Sequence, residues 1–151
     1  MYEFLRLFAL LGSGTTAGVM FAVALSVVPA LAAMPPARYV EAHRLLGRNW
    51  DPTMPVIVLS TALADLVLAL LAPGVAARSL HAAAVVLVLG VAGVSHLLNV
   101  PLNRAVKALG PASAIPRDWA DPRPAWRGYH LVRTALAGLA FLVNAAAAVL
   151  A

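Results

Sequence analysis

A chain of 151 residues with 62% apolar, 11% charged and no cysteine lies far from the soluble average, and its length allows one domain. The composition excludes a disulfide scaffold and thiolate metal sites. The net charge of +5 is concentrated in two loops, where membrane topology and anionic headgroups account for it, so no nucleic-acid partner is expected.

Four apolar segments, about 5–31, 56–71, 80–98 and 131–151, each approach the ~20 residues that cross ~30 Å of hydrocarbon, where helices satisfy their own backbone groups. They predict one integral membrane domain over 1–151, with helices over about 4–33, 53–72, 79–104 and 122–150. Val28 to Ala33 resembles a signal-peptide cleavage site. The apolar stretch before it is longer than the usual ~7–15 residues, and Glu3 with Arg6 leaves no net positive charge, so the first helix is read as retained. That helix carries Gly12-Ser-Gly14 and Gly18. No strand precedes the glycines, so a phosphate loop is rejected. The Gly14/Gly18 pair is expected to pack against a helix, and a homo-oligomer through that face is an open alternative.

Pro35 and Pro36 open a short amphipathic segment that ends near Trp50 and lies at headgroup level. In it Glu41, Arg44 and Arg48 share a face, which predicts an internal ion pair. Asp51-Pro52 is a cap-and-first-turn signal for the second helix. Asp65, about 20 Å further along that helix, is an intramembrane carboxylate with His81 or Asn144 as candidate partners. Pro73-Gly74 makes a short turn.

The third helix brings His96, Asn99 and Asn103 to one face, and Pro101 is expected to kink or end it. A proline-rich loop, about 108–123, is expected to lie over the bundle mouth, and Asp121-Pro122 then starts the last helix. There Trp126, His130 and Arg133 fall on one face with Tyr129 beside them. A buried arginine costs about 2.5–3.5 kcal/mol on insertion scales, so Arg133 should face partners or water.

Arg38, Arg44 and Arg48, and Arg104, Lys107, Arg117, Arg123 and Arg127, fall on one side of the helices. The positive-inside bias puts both long loops in the cytoplasm and both termini outside, in a bacterial cytoplasmic membrane. The expected fold is all-α: an up-down-up-down bundle of four transmembrane helices, with the short amphipathic helix between the first two. Its inner ends would line a polar pocket with Glu41, His43, His96, Asn99, Asn103, Trp126, Tyr129, His130 and Arg133.

Gly14 to Gly18 followed by Phe21 and Pro29, then Asn99-Val-Pro-Leu-Asn103, then Trp126 with His130 and Arg133, resembles the anthrone oxygenase-like family of small four-helix membrane proteins. The resemblance covers nearly the whole chain. It implies oxidation of polyketide anthrones to anthraquinones by dioxygen, without an evident flavin or metal. It also implies that Asn99, Asn103, Trp126, His130 and Arg133 lie in or near the site.

Chemistry assigns the roles. Deprotonating an anthrone gives an electron-rich oxyanion that reduces dioxygen directly, so a cofactor is dispensable. The protein must supply a base, donors for the oxyanion and a flat apolar slot. His130 leads as base, followed by His43 and Glu41. Arg133, Asn99 and Asn103 are donors, and Trp126, Tyr129 and Trp119 stack on the rings. His96 belongs to the same polar cluster. Plainer roles compete: interhelical hydrogen bonds for His96 and His130, interface anchoring for Trp119 and Trp126, and neutralisation of Glu41 by Arg133. Two other functions stay open. One is a metal-dependent oxidase ligated by His43, His96 and His130; the other is a non-catalytic scaffold or auxiliary subunit.

Overall fold

The computed structural model describes residues 1–109, 115–116 and 118–150. The described residues are helical or irregular, with no strand. Helices α1 (Tyr2–Ala22) and α2 (Val28–Ala33) are joined by a π-helical turn, Val23–Val27, into one span of 32 residues. A short helix α3 (Pro36–Leu46) follows, then α4 (Trp50–Leu71). Helix α5 (Val75–Val94) continues through a second π turn, Ser95–Asn99, into α6 (Val100–Ala108), a span of 34 residues, and α7 (Arg123–Leu150) closes the chain.

These four spans are long and apolar enough to cross a bilayer. The surface has the chemistry that lipid requires: Phe4, Leu11, Phe21, Leu63, Leu70, Leu97 and Leu142 are exposed, while Ser13, Thr61, Asp65, His81, His130 and Asn144 are buried. The chain is an integral membrane protein. Its long helices form a ring: α1 packs on α4 and α7, and α5 packs on the same two. The start of α1 lies against the end of α7, where Arg6 donates to the Ala147 carbonyl.

The two π turns have one cause. Pro29 and Pro101 lack the N–H that would continue an α-helix, and in each case the residue before proline donates one position further back: Val28 to the Val23 carbonyl and Val100 to the Ser95 carbonyl. Pro101 therefore does not end the third span, which runs on to Ala108. The helix boundaries also differ from expectation. Helix α4 begins at Trp50, and Asp51 is not a cap but pairs with Lys107. Helix α5 begins at Val75, directly after Gly74, whose φ of 89° makes the tight turn. Asp121 accepts from the Arg123 backbone N–H at the start of α7.

Between the first two spans, α3 buries Tyr39, Val40 and His43 and exposes Glu41. Tyr39 and Val40 join Leu31 and Val106 in an apolar cluster, with Ile115 and Trp119 packed against it. Burial, with Asp121 nearby, pushes the Tyr39 phenol up to about 12, so it stays neutral. Arg123 lies over the Tyr39 ring at 5.1 Å and donates to the Leu31 and Met34 carbonyls, filling the polar end of the first span. The loop expected over the bundle mouth includes 110–114 and Arg117, which lie outside the described residues.

The expected Gly14/Gly18 face is not used as a pair. A Cβ at Gly14 would stand 3.2 Å from the Phe141 ring, and one at Gly18 would meet nothing within 4 Å. The close approach is instead at Gly12, where a Cβ would fall 2.0 Å from Thr61 Oγ1 of α4.

Candidate active site

A cavity of about 530 Å³ lies among the spans and α3, inside the ~300–1,000 Å³ range of small-molecule sites. Its apolar wall includes Met20, Val23, Val27, Met54, Val58 and Ala92. Its polar wall includes His43, Asn103, Arg104, Lys107, Ser95, His96, Asn99, Trp126, His130 and Arg133. Both π turns contribute to the lining, consistent with the frequent placement of such turns at functional sites.

The hydrogen bonds fix the tautomers. Trp126 Nε1–H donates to Asn103 Oδ1 at 2.9 Å. An indole only donates, so this atom is the amide oxygen, and His43 Nε2, 3.1 Å from the same oxygen, must carry its hydrogen. The imidazole lone pair is therefore on Nδ1, and no donor reaches it among the described residues. Burial pushes His43 below the ordinary histidine range. The Asn103 hydrogen bond and Asp51 raise it, and Lys107 lowers it further. His43 is thus a neutral imidazole with a free lone pair at physiological pH.

His130 is arranged in the opposite way. Its Nε2 faces the Met20 carbonyl at 3.0 Å and must donate, while Nδ1 accepts from Arg133 Nε at 3.0 Å. Both nitrogens are committed, so the expected leading base has no lone pair left for a substrate. The ring is fully buried and stacked on Trp126. His130 positions Trp126 and Arg133. Arg133 also donates to Ser95 Oγ at 3.3 Å, and a guanidinium has further N–H groups to direct into the cavity.

Other expected residues separate into two groups. Asn99 is buried against the cavity, donating weakly to the Trp126 carbonyl at 3.4 Å, and its Oδ1 has no partner among the described residues. His96 lines the cavity but is exposed. Glu41 is exposed and outside the lining, because the face of α3 that turns inward carries Tyr39, Val40 and His43. Arg133 does not neutralise it. Arg44, expected to pair with Glu41, instead donates to the Lys107 and Leu109 carbonyls. Tyr129 is half-buried and outside the lining, and Trp119 is 6.2 Å from the Tyr39 ring in the apolar cluster. His43, His96 and His130 do not form a three-ligand metal cluster among the described residues.

Sequence reasoning missed the Met20 carbonyl, Ser95, and the Asp51–Lys107 ion pair, both of whose residues line the cavity. A backbone carbonyl has no sequence signal. Asp51 has one, since an acid beside a basic loop invites pairing, but the Asp-Pro pattern fits a helix cap equally well.

The fold and this cavity define a small polytopic membrane protein with a histidine-bearing site among its helices. The family model for anthrone oxygenase matches residues 42–143, about two-thirds of the length, and the chain belongs to the anthrone oxygenase family. No curated protein and no solved structure gives a significant match.

Proposed function

We propose that the chain is a membrane-embedded oxygenase that oxidises an anthrone-like aromatic polyketide, or a similarly flat hydrophobic substrate, with dioxygen and without a resident cofactor. The observation that carries this reading is His43, a buried neutral imidazole with a free Nδ1, in a largely apolar cavity beside the Trp126 ring. The His43 and Trp126 rings are 6.0 Å apart and meet edge to face. In this reading the four spans run up-down-up-down across a bacterial cytoplasmic membrane, with both long loops and α3 on the cytoplasmic side and both termini outside. Arg44, Arg48, Arg104 and Lys107 at one end of the bundle support that orientation.

In the proposed reaction His43 Nδ1 takes the acidic C–H proton, and the electron pair delocalises onto the substrate's carbonyl oxygen. Arg133 donates to that oxyanion, with Arg104 at the polar end of the cavity. The carbanion passes one electron to dioxygen, and the resulting radical and superoxide combine into a peroxide anion that recovers the proton from His43. Loss of water, taking the second C–H proton and the outer oxygen, leaves the new ketone. One oxygen atom ends in product and the other in water, and no external reductant is needed. The experiment is oxygen uptake by the purified protein with a simple anthrone, corrected for autoxidation. Uptake that survives chelators and is lost in His43→Ala supports the reading. Uptake no faster than autoxidation overturns it.

A further inference from the structure

We infer that the cavity is loaded sideways from the hydrocarbon layer, through an opening between α4 and the Ser95–Ala108 half of the third span, and that it takes an amphiphile with its ionisable end toward Arg104 and Lys107. The aromatic character of that amphiphile rests on the proposed function; the route of entry does not.

Two helices that start from a tight turn pack where they are joined. Helices α4 and α5 lie on either side of the Gly74 turn and pack on each other. Past the π turn the third span changes partners: its Ser95–Asn99 turn packs on α7 and α6 packs on α3. The first turns of α4 are thus left as one wall of the cavity and α6 as the other. Residues on both walls line the cavity and face outward as well. Leu59 is 55% exposed on α4, opposite the exposed His96. A side chain that is both lining and exposed marks an edge of an opening, and these edges lie within spans that contact lipid.

The end of the cavity nearest α3 also has exposed lining residues, Leu46, Asp51 and Arg104, but contacts cross it there. Lys107 pairs with Asp51 across the two walls, and His43 meets Asn103. Water-side entry would have to part these contacts, whereas entry past Leu59 and His96 breaks no hydrogen bond or ion pair among the described residues. The lining is also graded, from Val58, Met20 and Ala92 to Arg104 and Lys107. An apolar body with an acidic end satisfies both regions, because an anion there meets Arg104 and the Lys107–Asp51 pair rather than hydrocarbon.

The chain has no cysteine, so Ala92→Cys places a single thiol on the cavity wall. The variant in lipid nanodiscs is treated with pyrenyl maleimide, which partitions into bilayers, and with a sulfonated maleimide, which does not. Pyrenyl maleimide is expected to react faster by about an order of magnitude or more, because the sulfonate cannot shed its hydration to cross hydrocarbon. Leu59→Trp is expected to slow that reaction, while leaving unchanged the labelling of Leu97→Cys, which is exposed and outside the lining. Sulfonated reagent reacting as fast as the pyrenyl one, or a rate indifferent to Leu59→Trp, would overturn lateral entry. Val100→Cys on the facing wall repeats the test if Ala92→Cys does not assemble. Labelling needs no turnover, so lateral entry and the oxygenase reading fail separately.

Discussion

The indole of Trp126 lies flat on the imidazole of His130, with ring centroids 5.2 Å apart and planes 4° from parallel. His130 is held from both sides, by the Met20 carbonyl and by Arg133, so the stack is a fixed platform from which Trp126 Nε1 reaches Asn103. The chain of contacts runs from Met20 through His130, Trp126 and Asn103 to His43. The group that would touch substrate is thereby oriented by four that need not.

His130→Ala removes a fully buried ring and unpairs two polar groups. A loss of about 2–4 kcal/mol of stability is expected. Thermal unfolding in detergent measures it; an unchanged midpoint together with lost turnover would mean that His130 is a reacting group after all.

His43→Ala is expected to lower turnover by about 10²–10⁴-fold, the usual range for a positioned base. The working form is the neutral imidazole, and burial lowers its pKa, so activity should rise with pH through a midpoint below the ordinary histidine value and then level off. The neighbours give this its sign. Lys107→Met removes a cation that lowers His43 and should move the midpoint up; Asp51→Asn removes an anion that raises it and should move the midpoint down. A rate–pH profile of the three proteins decides it, and shifts in the same direction would count against His43 as base.

Gly12→Ala should destabilise the bundle by about 1–3 kcal/mol, because the new methyl group collides with buried Thr61. Gly18→Ala, where nothing lies within 4 Å, should be neutral or gain up to about 1 kcal/mol from helix propensity. Unfolding in mixed micelles separates the two.

Asp65→Leu leaves His81 and Asn144 without their shared acceptor, at distances now of 3.0 and 3.1 Å. A cost of about 1–2 kcal/mol is expected, the upper range for polar contacts between membrane helices. These residues do not line the cavity, so pyrenyl maleimide labelling at Ala92→Cys should be unaffected. Slower labelling would show that the two ends of the bundle are coupled.

The four spans were legible because hydrocarbon imposes length and composition on every residue of a span, and depth alone was enough to name His81 and Asn144 beside Asp65. Much of the cavity lining was legible as a polar cluster: His43, Asn99, Asn103, Trp126, His130 and Arg133 all belong to it. The roles were not. Which histidine keeps a lone pair depends on a carbonyl at Met20 and an amide at Asn103, and neither contact has a spacing rule. Glu41 was misplaced because its charge suggested chemistry, whereas the inward face of α3 is set by Tyr39 and Val40. Proline carries two outcomes in a helix. The sequence at Pro101 suggests a break, and only the Val100 to Ser95 bond shows the turn widening instead.

The Asp65–His81 contact has a consequence for biogenesis. The two residues are separated by one tight turn, on adjacent helices of a single hairpin. As that hairpin enters the bilayer, the Asp65 side chain has its imidazole partner already beside it, so the cost of an unpartnered intramembrane polar group is never met in full. Asn144 arrives only with the last helix and completes the contact. The Asp65 contact can therefore be assembled in two stages, within the central hairpin first and with the closing helix later, without an unpartnered acid waiting in the membrane between them.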